Sequence, residues 1–339
     1  MACLEKKTNM SLSDIASALG VSKATVSWVL SGKGDSRRIS QATQKRVKEY
    51  AATHNYHPNM LARSLSLGRS KTIGLLISSL SDPFYSSIAK AVVNRAESVG
   101  YTVMIATSES DCNKEASLVE TFSHRKVDGI ITTPTEGADW VDGFTNAGGR
   151  LVFADRAVPG SDIPSVVVDN EQSSYRLVSH LIEKGCSKIA MFTTAHNLVN
   201  MKARQAGYVR ALEDAGIPVD TRLIRDVASV YNQKMVEDEL DDLLRQVPDL
   251  DGIFFTTHVL VLPTYVHFAN RGIMPQGGAG WACFHSLPEF DILLPKMSIA
   301  RMSIEQLGAR AVDLLLESIE NGTVSLGTTV TLSCEMMLK

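Results

Sequence analysis

Between Leu12 and Leu30 the chain reads LSDIASALGVSKATVSWVL, a run that few backbones can satisfy. Ile15 and Ala16 fall on one side of a first short helix, and only a side chain as small as Ala16 lets a second helix cross closely there. Gly20 stands where the chain must turn, since a positive φ is cheap for glycine and costly for other residues. Ser22 is a natural N-cap, its hydroxyl able to accept from a backbone N–H of the next turn. Val26 and Val29 recur three apart and turn inward, leaving Lys23, Ala24, Ser27 and Trp28 on the opposite face. This is the pattern of a helix-turn-helix, whose second helix presents its outer face to the major groove of DNA. The bland alternative, a helical hairpin inside a core, does not require the small residue, the glycine and the apolar positions to share one register.

The distribution of charge supports a contact with nucleic acid. The chain has 339 residues, with 34 Lys and Arg against 37 Asp and Glu, a net charge of −3. Residues 1–71 hold twelve basic and four acidic residues, a balance of +8, while the remainder carries −11. A basic head on an acidic body marks a DNA-binding module joined to something else, with binding that weakens steeply in salt. At 44 % hydrophobic residues the chain can build two or three domains with cores of their own. No run approaches the ~18 apolar residues that span a bilayer. The opening MACLEKKTNM lacks the apolar centre of a signal peptide, so no membrane partner and a cytoplasmic protein are expected. Cys3, Cys112, Cys186, Cys283 and Cys334 are scattered, without a C-x-x-C pair, and read as reduced structural thiols.

After SGKGDSRRIS, a loop with two arginines, a third helix runs from about Gln41 to His54, with Val47 and Tyr50 inward. The stretch YHPN breaks it, and MLARSLSLGRSK has short helical character but nothing to pack on, so it reads as a hinge that orders on DNA. From Ile73 onward apolar strands alternate with helices. The strands are 73–77, 102–107, 129–133, 150–154, 188–194 and 252–257; the helices include Pro83–Val99, Glu171–Lys184 and Met201–Ala215. The pattern predicts α/β architecture, doubly wound parallel sheets in two units meeting near Val168. Such sheets bind ligands at the carboxyl ends of their strands, and a cleft between two of them suits a small molecule.

Four stretches resemble the LacI/GalR family of bacterial transcription regulators over essentially the whole chain. They are LSDIASALGVSKATVSWVLSGKG, YHPNMLARSLSLGRSKTIGLL, HRKVDGIITTP, and DRAVPGSDIPSVVVDN with the later ARQAGY. The segments GKGDSRRIS, ATSESDCNKEASLVETF and FFTTH are most similar to the fructose- and sucrose-responsive branch. The resemblance implies a homodimeric regulator, more often a repressor than an activator, on a pseudo-palindromic operator. It also implies control by a sugar or sugar phosphate of carbohydrate genes. The implied layout is an all-α helix-turn-helix domain at 1–58, a hinge at 59–71 and a periplasmic-binding-protein-like core at 72–339. Within the core, one subdomain takes 72–168 and 303–327, the other 169–299 and 328–339. Three strands link them, and the last helix, about Ser303 to Asn321, returns to the first. The end CEMMLK carries no heptads, so a coiled-coil tetramer is not expected.

Residue by residue, Lys23 and Ala24 match base-contacting positions, lysine for guanine and alanine for a thymine methyl; a phosphate contact is the competing role for Lys23. Ser22, Thr25 and Ser27 read as cap and phosphate donors. Trp28 departs from the arginine common at its position: it packs on thymine methyls and sugar, or it lies against its own domain. Asn59, Ala62 and Leu65 match the minor-groove hinge, with Leu65 as the wedge that unstacks a base step, unless the segment is a linker helix packed on the core.

For the effector, the resemblance implies that Asp82 and one of Phe84 and Tyr85 face the cleft, the other aromatic packing in the core. Asp155, Arg156 and Arg204 match charged cleft residues, and two guanidinium forks suit a phosphate or carboxylate. Alternatively Asp155 pairs with an arginine to brace the walls. Asp169 orients hydroxyls or merely ends its strand. His258 follows Thr257 where Asn-Asp is usual, and His285 replaces a hydroxyl-binding aspartate, which weakens the case for a plain neutral sugar. Cys283, His258 and His285 are too separated for a metal motif, so neither metal nor cofactor is expected. An enzyme would need a catalytic constellation, yet there is no G-x-S-x-G, P-loop, paired-His motif or G-x-G-x-x-G after a strand. A solute-binding protein without a DNA role would share the core but not the helix-turn-helix, and a regulator answering to a non-sugar metabolite would share both.

Overall fold

A computed structural model describes residues 10–56, 68–194, 197–227, 233–321 and 327–339. It divides into two units, Met1–Ser70 and Lys71–Lys339. The expected hinge residues Asn59, Ala62 and Leu65 lie outside the described residues.

The first unit is three helices whose ends are written locally. Helix α1 (Leu12–Leu19) opens with a capping box: the Asp14 N–H donates to Ser11 Oγ, and Asp14 Oδ2 accepts from the Ser11 N–H at 2.8 Å. It closes on Gly20, in the left-handed region at φ 65°. Helices α2 (Lys23–Leu30) and α3 (Gln41–Thr53) are capped by Ser22 and Ser40. Ile15, Ala16, Val26, Val29, Val47 and Ala51 form the buried core. Arg46 Nη2 donates to the Leu19 carbonyl at 3.2 Å, occupying an acceptor that the end of α1 leaves open.

The second unit holds two six-stranded sheets with α/β windings. The first comprises β1 (Thr72–Ile77), β2 (Thr102–Thr107), β3 (Gly129–Thr132), β4 (Leu151–Asp155), β5 (Ser165–Val168) and a late strand, Thr329–Leu332. Helix α4 (Pro83–Ser98) follows β1, helix α5 (Cys112–His124) follows β2 and helix α6 (Trp140–Asn146) follows β3. After β5 the chain crosses through α7 (Asn170–Glu183) to β6 (Ile189–Thr193), α8 (Val199–Asp214), β7 (Ile224–Asp226), α9 (Gln233–Gln246), β8 (Gly252–Phe255), α10 (Val261–Asn270), β9 (Trp281–Phe284) and β10 (Ser298–Arg301). Helix α11 (Ile304–Asn321) then packs back on α4, β3 and β4. The late strands are β11 (Thr329–Leu332) and β12 (Glu335–Met337).

The strand orders are β11-β5-β4-β3-β1-β2 and β12-β10-β9-β8-β6-β7, so each position in one sheet has its counterpart in the other. All pairings are parallel except β12 against β10. The sheet pairing corrects one expected boundary. Residues 328–339 were expected in the second subdomain, but Thr329–Leu332 pairs in register with Ser165–Val168 of the first sheet. Only Glu335–Met337 reaches the second, because the third crossing falls after β11 and not before it. Among the described residues no helix is long and apolar enough to cross a membrane.

Candidate functional site

On α2, Lys23, Ala24 and Ser27 are exposed on one face and Thr25 and Trp28 are half-buried. Ser22 Oγ accepts from the Thr25 N–H at 3.0 Å and lies 2.8 Å from Thr25 Oγ1, so both hydroxyls already have a structural role in the cap. The Arg37 guanidinium lies over the Trp28 ring, 5.0 Å from its centroid. One face of the indole is therefore covered from within the domain.

In the second unit the carboxyl ends of the strands surround a cavity of about 210 Å³. Asp82, Phe84, Tyr85, Asp155 and Arg156 line it from the first subdomain, and Arg204, His258 and His285 from the second. Asp82 caps α4, its Oδ1 accepting from the Phe84 N–H at 2.8 Å and lying 3.3 Å from His258 Nε2. That contact bridges the subdomains. Burial alone would raise the Asp82 pKa, but the hydrogen bond and charge of His258, with the Phe84 N–H, hold it below its ordinary value. Both aromatics line the cavity, and Phe84, as expected of one of the two, is also packed into the buried core. Phe84 packs edge-on to His285 at 5.3 Å, and the Tyr85 hydroxyl accepts from Arg156 Nη2 at 3.1 Å.

Arg204 is buried and heavily engaged. Its Nε donates to Asn170 Oδ1 at 2.8 Å, its Nη1 to the Thr256 carbonyl at 2.6 Å, and its guanidinium lies 3.8 Å from the Phe284 ring centroid. Asp155 Oδ2 accepts from Asn200 Nδ2 at 3.2 Å. Among the described residues, Asp155 Oδ1, Arg156 Nε and His285 Nδ1 are buried without a hydrogen-bond partner. Such groups are costly to bury unless something else satisfies them. Burial raises the Asp155 pKa, against the opposing charges of Arg156 and Arg204. Burial, then the charges of His258 and Arg204, push His285 down to about 3, so its imidazole is neutral near pH 7. Asp155 ends β4 and His285 directly follows the corresponding strand β9, and both hold φ at 69°. Two non-glycine residues strained in this way at one cleft mark a functional site.

Asp169 stands beside Asp155 and Arg156, which line a second pocket with it, a neighbouring recess of about 540 Å³. Its Oδ1 accepts from Ser173 Oγ at 2.7 Å and from the Cys334 N–H at 3.0 Å. That carboxylate ties α7 to the third crossing, the strand-ending role. Cys283 is buried in the core behind the second sheet, its Sγ donating to the Phe284 carbonyl, and no metal-binding group occurs among the described residues. Sequence reasoning did not single out Asn170, Ser78, Ser110 or Asn200. Asn200 lacks a local signal, and Asn170 acts on the site only through Arg204.

A helical DNA-reading head followed by a two-subdomain core with a polar cleft defines a regulator that couples a small ligand to DNA. Residues 11–59 match the family described as bacterial regulatory proteins, lacI family. Residues 70–335 match periplasmic binding proteins and the sugar binding domain of the LacI family. The chain belongs to the LacI family and is a DNA-binding transcriptional regulator, not an enzyme. It is 29% identical over 311 residues to the ribose operon repressor of Halalkalibacterium halodurans, covering 91% of this chain and 89% of that one. The lac repressor dimer bound to operator and the anti-inducer ONPF superposes with a TM-score of 0.83 at 21% identity, covering 97% and 98% of the two chains. The Cra dual regulator of Pseudomonas putida in complex with fructose 1-phosphate gives a TM-score of 0.70 at 20% identity, over 79% and 98%.

Proposed function

We propose that this regulator is a homodimeric repressor of carbohydrate-metabolism genes, read onto a pseudo-palindromic operator by α2 and controlled by a sugar or sugar phosphate in the 210 Å³ cavity. Lys23 and Ala24 contact bases, while Ser22, Thr25 and Ser27 support the backbone contact. Asn59, Ala62 and Leu65 enter the minor groove. The observation that carries the reading is the cavity between the subdomains, with Asp155 Oδ1, Arg156 Nε and His285 Nδ1 unsatisfied in its walls. A ligand that completes these bonds closes the cleft and alters the spacing of the two hinges. Effector and operator then change each other's affinity reciprocally, typically by ~1–3 kcal/mol. The repressor and operator in the relatives' names support the repressing, dimeric reading.

The charges favour an unphosphorylated sugar over a phosphate. Arg204 is largely consumed by Asn170 and Thr256, and Asp155 and Asp82 offset the remaining cations. The segments GKGDSRRIS, ATSESDCNKEASLVETF and FFTTH support the fructose- and sucrose-responsive branch. The test is a thermal-shift screen of the full chain against fructose, sucrose, ribose and their phosphates, followed by operator binding with the best of them. A neutral sugar should raise Tm most and change operator affinity. A larger shift with the phosphorylated sugars would refute the charge argument, and no shift with either class would refute a carbohydrate effector.

A further inference from the structure

The loop between α2 and α3 is braced to hold one side chain. Gln41 Nε2 and Gln44 Nε2 each donate to Asp35 Oδ1 at 2.8 Å, and Gln44 Nε2 also donates to the Ile39 carbonyl at 2.9 Å. Gly34 lies so close to the buried Gln44 that a Cβ there would come within 2.4 Å of it. At the other end the Lys33 N–H donates to the Trp28 carbonyl at 2.8 Å, and the Lys33 carbonyl accepts from the Arg37 N–H at 3.1 Å and from Ser36 Oγ at 2.9 Å. The product of this bracing is the exposed Arg37 guanidinium over Trp28, which stands on α2 one turn after Ala24 and next to Ser27. Among the described residues that guanidinium makes no hydrogen bond or ion pair, so the N–H donors of its fork remain unspent.

We propose that Arg37 is a specificity-determining residue, stacked on Trp28 so that its fork donates to O6 and N7 of a guanine at one position of each operator half-site. The inference rests on α2 entering the major groove as proposed above. Trp28 offers one N–H and cannot make a bidentate contact itself, but its ring can hold a planar cation in place. A phosphate contact needs only a mobile positive charge, whereas bidentate base reading needs an oriented fork, which is what the braced loop supplies.

The experiment selects tight binders from a pool of randomised duplexes with the full-length protein and sequences them. Wild type should return a palindrome with a symmetric guanine pair. Arg37→Ala should lose the preference at that pair alone, roughly ten- to hundredfold against the other bases, with the rest of the motif kept. Trp28→Ala should blur the same pair, and Trp28→Phe, which keeps a ring, should blur it less. Arg37→Ala returning the wild-type motif with uniformly weaker binding would overturn the proposal in favour of a phosphate contact. Effects of Arg37 and Trp28 at different positions would overturn it as well. Absence of any selected motif with wild type would instead defeat the underlying reading of α2.

Discussion

Replacing Arg204 by alanine separates a bracing residue from a ligand-facing one. In the folded core its guanidinium satisfies Asn170 Oδ1 and the Thr256 carbonyl and covers Phe284, all away from water. Truncation leaves two buried acceptors unpaired at about 1–3 kcal/mol each. Part of this is offset because burying the cation is itself unfavourable, the reason its pKa lies below the ordinary arginine value. Removing one partner from such a buried charged network costs about 3–5 kcal/mol on balance. For a domain of this size that is a fall in Tm of roughly 6–20 °C. Urea unfolding of the full chain, followed by circular dichroism with and without sugar, measures it. A loss below about 1 kcal/mol together with a vanished effector response would refute the reasoning and assign the guanidinium to the ligand.

Lys23→Ala should weaken specific operator binding by about 1–3 kcal/mol and leave non-specific binding in place; a change only in the salt slope, measured by titration, would make Lys23 a phosphate contact. His285 gives the core an acid sensitivity of definite sign. Its folded pKa, about 3, lies below the unfolded value near 6.5, so its contribution is complete above pH 6.5 and is lost as pH falls toward 3. Between pH 7 and pH 5 the loss is about 2 kcal/mol, and His285→Asn should remove it; equal urea-midpoint shifts in the two proteins would contradict the assignment. Gly207→Ala should destabilise the core severely, because its Cβ would lie 2.2 Å from the Glu171 carbonyl oxygen and neither helix backbone can yield. Wild-type unfolding of that variant would show that α7 and α8 can move apart.

The turn at Gly20 and the cap at Ser22 were legible because each acts on backbone groups within a few residues of itself; the caps Ser11 and Ser40 follow the same local rule but were not singled out. Part of the cleft was legible beside the family's motifs, with eight of the eighteen residues that line the cavity named from the sequence. Their roles were not. The sequence suggests two free arginines facing an anion, yet Arg204 is held by residues 34 and 52 positions away. Asp169, read either as orienting hydroxyls or as ending its strand, holds the Cys334 amide 165 positions distant while lining the recess beside Asp155. Strands β7 and β12, three residues each, carry too few residues for their periodicity to stand out. Strands β5, β9 and β10 were not singled out although β3 and β8 are equally short.

What the sequence determined by itself is whatever arises between neighbours on one helix or strand: the reading head with its caps and turn, the alternation of strands and helices, and the separation of charge between head and body. Tertiary structure alone decided which polar atoms in the cleft are spent and which are free, which sheet receives Thr329–Leu332, and that Arg37 covers Trp28. The division follows from distance along the chain. A cap or a turn is a contact of three or four residues, whereas hydrogen-bond satisfaction in a cleft depends on groups brought together from every part of the fold.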